Sequence, residues 1–444
     1  MTDTPLAAES TAAPLPSAPT VLVEFSDAVP LATVSVALRS GATEDPDGLE
    51  GLTRLSGRLA RRTAGGRAPR EIDAAIDALG GALGVDTSHS TSALHGTVIS
   101  RNLDSFIDTV VDVLGRPSLD EAELARLVRE TEAARVEALD NDRGVARHWF
   151  RRRMFAEHPY GRSVVGTSRS LAQMTRTHVQ HHLARTWVRG NLLLACSGDI
   201  SEDKAREIGE RIAQAVPLGP ATEARVPEPV GPVGRTLLFV DKPERTQTQI
   251  LIGCLGTHPQ DDDHMALYVA NTVFGGTFTA RLTREVRSKR GWSYGAYSSL
   301  PIDKQRRAFS MWTFPKASDA AACLSLELKL LEELVERGVT AKELAWVKRF
   351  LVRSHAFAID TASKRVGLAL DSVLYDLPPR YYDSYIERVN AVTLEQANGA
   401  LRRRLTPDHL LITVLGTERD IGGAVREAIP HLATAESVPF DRED

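Results

Sequence analysis

Four places in the 444-residue chain combine residue types that can do chemistry. Gly291-Trp292-Ser293-Tyr294-Gly295 matches G-x-S-x-G. In a serine hydrolase that motif is a sharp turn with a strand before the serine and a helix after it. Here the order is reversed, because a basic helical run (279–289) precedes and a β-like run (293–300) follows. The later histidines His355, His409 and His431 sit in no telling context, so the match supplies no nucleophile. His178, His181 and His182 lie in a helical run, with His178 and His182 four apart on one face. Two imidazoles can begin a metal site, but no acidic residue or third ligand accompanies them, and they read as surface histidines. Asp261, Asp262 and Asp263 precede a helix, where carboxylates cap free N–H groups and complement the dipole. Arg287 closes a basic helix and Tyr294 opens a strand, with Gly291 between them. A tight turn there would bring a guanidinium and a phenol to one spot, able to hold a peptide carbonyl or the oxyanion it becomes. Neither G-x-x-x-x-G-K-[ST] nor G-x-G-x-x-G occurs, so nucleotide chemistry has no support.

The elements that must position these residues come in two similar sets. The first half opens with an alternating strand (32–38), a Gly/Asp/Pro turn and a helix (51–62), and the second with a strand (247–255), an Asp-rich turn and a helix (262–274). A helix (102–114) leads to a long helix running past 143, and a helix (318–337) leads to a long helix over 345–371. Each half then has two more helices, a closing strand (191–200 or 409–418) and a last helix. Such repetition implies duplication. The reading is an α+β fold of two homologous domains, each a mostly antiparallel sheet with helices packed on one face. Strand order is not given by so few alternating residues. The expected division is a lead-in biased to Ala, Pro, Thr and Ser (1–19), a first domain (20–214), a linker (215–235) and a second domain (236–437). The linker holds Pro217, Pro220, Pro227, Pro229 and Pro232, which neither continue a helix nor pair inside a sheet.

Composition narrows the class. Lys+Arg number 54 and Asp+Glu 58, a net charge of −4 that gives no sign of a nucleic-acid binder. Cys196, Cys254 and Cys323 lie far apart in apolar runs and read as buried thiols in a reducing compartment. No signal peptide and no run of roughly 20 apolar residues is present, so a cytoplasmic protein without a membrane span is expected.

The run FGGTFTARLTREVRSKRGWSYGAYSSL (274–300) resembles the second-half signature of the pitrilysin/insulinase family of zinc peptidases. Gly275, Gly276, Arg281, Leu282, Arg287, Lys289, Gly291 and Tyr294 match in order and spacing, and Trp292 stands where the family usually has Leu. HPYGRSVVGTSRSL (158–171), LGGALGVDTS (79–88) and NLLLACSGDI (191–200) fit as well. The likeness spans roughly residues 20–435. It implies an inverted zinc motif, H-x-x-E-H, on the first long helix. By register from Gly51, the two histidine positions are Arg54 and Arg58 and the glutamate position is Gly57. The third ligand falls at Arg135, with Glu132 within a helical turn of that register.

Arginine has no lone pair for a metal and stays protonated, and glycine offers no base. The resemblance therefore implies a chain that holds no cofactor of its own, one half of a two-chain shell. A homologous partner carrying H-x-x-E-H would hold the zinc and the base, while Arg287 and Tyr294 bind substrate and stabilise its oxyanion. The implied substrate is a short peptide or unfolded precursor, added as a strand along an edge such as 81–88. The alternative is a scaffold or peptide-binding protein of the same fold without proteolytic work.

Overall fold

Alternation in LATVSVAL puts Ala32, Val34, Val36 and Leu38 on the buried side of a strand. The computed structural model describes residues 19–222 and 226–443; the rest of the expected lead-in, and three residues of the expected linker, lie outside the described residues. The first sheet is built from β1 (Thr20–Phe25), β2 (Leu31–Leu38), β3 (Ala82–Thr87), β4 (Ser92–Ile99) and β5 (Leu192–Gly198), in the order β1-β5-β2-β4-β3. Only β1 and β5 run parallel. The second holds β6 (Arg235–Asp241), β7 (Gln249–Leu255), β8 (Ala296–Ser299), β9 (Ala308–Thr313), β10 (Leu410–Gly416) and β11 (Leu432–Pro439). Its order is β11-β6-β10-β7-β9-β8. Adding five to each strand number of the first sheet reproduces the second, with β11 attached outside β6. The duplication is therefore one of topology as well as of sequence pattern.

Helices of the first half are α1 (Leu52–Arg62), α2 (Pro69–Ala78), α3 (Leu103–Gly115), α4 (Glu121–Ala138), α5 (Asp142–Met154), α6 (Ser168–Gln173), α7 (Arg176–Thr186) and α8 (Glu202–Ala215). Those of the second are α9 (His264–Phe274), α10 (Arg281–Thr283), α11 (Ala320–Arg337), α12 (Ala341–Ser354), α13 (Ala362–Leu374), α14 (Tyr385–Ala391), α15 (Leu394–Arg404) and α16 (Glu418–Glu427). Most cover one face of their own sheet and close two main cores. One core joins Leu55, Ile76, Phe106 and Leu194, the other Phe239, Phe274, Leu328 and Leu401.

Both expected long helices are broken, and the break has a purpose. The Asn141 side chain accepts the Gly144 N–H at 2.9 Å and starts α5, while Thr361 accepts the Lys364 N–H at 3.2 Å and starts α13. Each new helix then leaves its own half. Trp149, Phe150 and Met154 of α5 pack on Leu238, Leu251 and Leu411, on the second face of the second sheet. Leu370, Val373 and Leu374 of α13 pack on Ala37, Ala93 and Leu193 of the first sheet. A polar joint reinforces this exchange. Tyr160, fully buried, accepts the Gln305 N–H at 2.9 Å and meets Ser90 Oγ at 3.1 Å. His158 accepts the Tyr160 N–H through Nδ1 at 3.0 Å and donates from Nε2 to the Pro227 carbonyl at 2.7 Å. The His-Pro-Tyr-Gly segment is thus a bolt between the halves.

Candidate functional site

Arg287 and Tyr294 do meet. The chain runs from α10 into a π turn, Arg284–Ser288, whose last amide bond reaches from Lys289 N–H back five residues to the Arg284 carbonyl at 3.0 Å. Gly291, at φ +67°, then turns the chain, a conformation that disfavours a side chain. The Arg287 Cζ lies 4.5 Å from the centre of the Tyr294 ring and 4.1 Å from that of Phe278. The guanidinium is held between two aromatic faces that are themselves exposed, Tyr294 by 74% and Phe278 by 60%. Its Nη1 is buried and has no hydrogen-bond partner among the described residues. Phe278, nine residues before Arg287, was not singled out from the sequence; its only signal is its place within the matched run.

Beside this pair, β8 is an edge strand whose outer side is already occupied. Ser298 N–H donates to the Gly275 carbonyl at 3.1 Å, and Thr283 Oγ1 donates to the Ala296 carbonyl at 2.7 Å. Arg281 is structural, its guanidinium forked onto Glu343 at 2.6 Å through two nitrogens.

The other sequence candidates resolve differently. Ser293 is buried, donating to the Gly295 carbonyl at 2.6 Å and accepting the Phe314 N–H at 3.0 Å, which leaves no free nucleophile. The surface reading of the histidines is corrected at His182, which is 4% exposed with both ring nitrogens unpartnered among the described residues. Burial, then the Arg185 charge, pulls its pKa down to about 3, so it is a neutral, buried residue of α7. His178 instead pairs with Thr175 at the start of α7. Helix capping by the aspartates is also corrected. The Asp263 carboxylate takes Arg403 and Arg404 at 3.1 and 2.9 Å, and Asp261 takes Arg306 and the His258 N–H. Burial raises the Asp261 pKa, but these donors override it and hold it near 2. The three cysteines are free and buried.

The positions of the zinc motif do not fit a metal. Arg54 and Arg58 lie one turn apart on the half-buried side of α1. Burial lowers the pKa of both, and Arg54 and Arg62 lower that of Arg58 further. Arg58 reaches across to Thr131 of α4 at 3.4 Å. Arg135, one turn beyond Thr131, is held by the Gly166 carbonyl, by Glu132 at 3.4 Å and by Glu443 at 3.8 Å. Glu132 accepts from Ser168 and so is also engaged. A Cβ on Gly57 would stand 2.9 Å from Val85 Cγ1, so glycine lets α1 sit down on β3. Among the described residues, no three His, Cys, Asp or Glu side chains gather where a metal could be held. The β3 edge beside them is partly taken, since Arg61 Nε donates to the Leu83 carbonyl at 3.1 Å. Among the described residues no helix is long and apolar enough to cross a membrane.

Known proteins share this design. Residues 20–168 match the family model Insulinase (Peptidase family M16), and residues 173–351 match Peptidase M16 inactive domain. An uncharacterized zinc protease of Mycobacterium leprae is 27% identical over 409 residues, covering 90% of both chains. A non-peptidase homolog of Helicobacter pylori is 20% identical over 400 residues, covering 90% of this chain and 92% of its own. The crystal structure of a peptidase M16 inactive domain from Pseudomonas fluorescens shares the fold at a TM-score of 0.83 and 24% identity, over 90% of this chain and 96% of that one. Sequence pattern, topology and fold agree: the chain belongs to the insulinase (M16) peptidase family, as a member that lacks the family's zinc motif.

Proposed function

We propose that this chain is the zinc-free half of a two-chain peptidase, binding peptide substrate and stabilising its oxyanion through Arg287 and Tyr294. The observation that supports this is the state of Arg287. A guanidinium stacked between two rings, with a buried and unpaired N–H, is a preformed donor lacking an acceptor. A peptide carbonyl oxygen is such an acceptor, and its charge grows as it is attacked, so the donor is worth more in the transition state than in the ground state. Tyr294, stacked on the same guanidinium and exposed, can add a second hydrogen bond from its phenol. The zinc-motif positions Arg54, Gly57 and Arg58 offer neither a base nor a metal ligand, so on this reading the partner, a homologous chain with H-x-x-E-H, brings both. Peptides or unfolded precursors are the substrate class.

Co-expression with such a homologous chain and assay of the purified pair on a quenched-fluorescence peptide library tests the reading. Arg287→Ala should cut kcat by about 10²–10³, with a smaller loss for Tyr294→Phe. Undiminished hydrolysis by both variants would remove the catalytic role. A stable homodimer with no zinc-bearing partner would favour a scaffold, the second reading, which draws support from the partly taken β3 edge.

A further inference from the structure

The surface next to Arg287 carries more positive charge than the fold uses. Tyr294 is followed by Gly295, where an added Cβ would stand 2.5 Å from the Tyr297 ring and 3.0 Å from that of Phe314. Trp312 continues the row, stacked on Tyr297 at 6.2 Å and on Phe314 at 4.8 Å between centres. Two guanidinium groups from the crossed-over helix α5 sit over Trp312, Arg143 at 3.7 Å and Arg147 at 5.8 Å from the ring centre. Both arginines are exposed, and neither has a carboxylate partner among the described residues. Two acids close by in the chain are committed elsewhere. Asp142 serves Lys242 at 2.6 Å and Arg245 at 3.7 Å, and Glu285 serves Lys289 and Arg290 at 2.8 and 3.2 Å. Burial, and then the Arg143 charge, lowers the pKa of Arg147, as expected for like charges held close without a counter-ion.

We propose that this row, from Arg287 through Tyr297 and Trp312 to Arg143 and Arg147, is a carboxylate-selecting subsite that favours acidic peptides. The proposal rests on the reading of Arg287 and Tyr294 as peptide-binding groups and adds the class of peptide. Rings flanked at both ends by guanidinium groups suit a chain that carries acidic side chains on either side of an apolar stretch, rather than a small free anion. The rings take the apolar side chains and the unpaired arginines take the carboxylates in forked pairs. The edge of β8 is covered, so recognition runs through side chains across the sheet face and not through an added strand.

Fluorescence anisotropy of the full chain with two labelled decapeptides reads this directly, one carrying three glutamates and the other glutamine at the same places. The glutamate peptide should bind about tenfold tighter at low salt, and the ratio should shrink as salt screens the pairs. Arg143→Gln with Arg147→Gln should bring the ratio to about one. Arg143→Lys with Arg147→Lys, which keeps the charge but loses the fork, should retain part of it and shows that the altered helix still folds. Equal binding of the two peptides by the natural chain, a ratio unchanged in the glutamine variant, or no binding of either peptide would each overturn the proposal. Hydrolysis by the pair that depends on Arg287 while charge selection is absent would sink this inference alone; charge selection with hydrolysis indifferent to Arg287 would sink the reading above instead.

Discussion

Gly57 and Val85 form the contact on which the altered metal site turns. Alanine in a helix interior gains about 1 kcal/mol over glycine, but overpacking typically costs about 1–3 kcal/mol. Gly57→Ala alone should therefore leave stability unchanged or lower it, because the new Cβ meets Val85 Cγ1. In a Val85→Ala background the same change should give back most of the helix gain. Urea unfolding of the four proteins in that cycle checks it, and additive effects would show that glycine is not there for packing. At this scale the helix that carries Arg54, Gly57 and Arg58 was legible, and α1 sets the two arginines one turn apart on a half-buried side. The meeting of Arg287 and Tyr294 was legible because only six residues separate them, one a glycine that can turn the chain. Phe278 was overlooked within the matched run. The stack of Arg143 on Trp312 was not legible, since no local spacing reports a contact between distant parts of the chain. His182 was misjudged for a related reason: a four-residue spacing says that two side chains share a face, not that one of them is covered by another helix.

Among the elements, α11 carries an acid in an unusual place. Glu327 is fully buried, accepting from Thr313 Oγ1 at 3.0 Å and facing Cys323 Sγ at 3.8 Å, with Oε1 unpartnered among the described residues. Burial raises its pKa to about 8 against the hydrogen bonds that lower it. The folded state then holds a proton that the unfolded chain gives up above its ordinary carboxylate value of 4.5. Stability from this group is full below that value and is lost as pH rises toward about 8. The slope is at most about 1.4 kcal/mol per pH unit. Glu327→Gln should thus gain on the natural protein between pH 5 and about 8, with no such gain at pH 4. Thermal unfolding across that range measures the difference, and a constant offset would show that the carboxyl is not the titrating group. Helices and strands were legible to within a residue or two where burial alternates, as in α1 and β2. Neither long helix was seen to break, because Asn141 and Thr361 are caps only once the chain has somewhere else to go.

For the molecule as a whole, the exchanged helices decide how it comes apart. Phe150 of α5 is buried against the second sheet, and its loss should cost about 3–5 kcal/mol, as for other large core aromatics. Because α5 belongs to the first half, Phe150→Ala should lower hydrogen-exchange protection in both β2 and β7, within a single denaturant transition. Two separated transitions would mean that the halves are not coupled. Duplication was legible from the repeated order of strands and helices, but the exchange was not, since amphipathic residues announce that a face is to be covered and not whose sheet will cover it. Two arms clasped across each other cannot gape like jaws about the proline-rich connector. On the reading proposed above, the way in for a peptide is then the seam with the partner chain, with the two halves moving as one leaf.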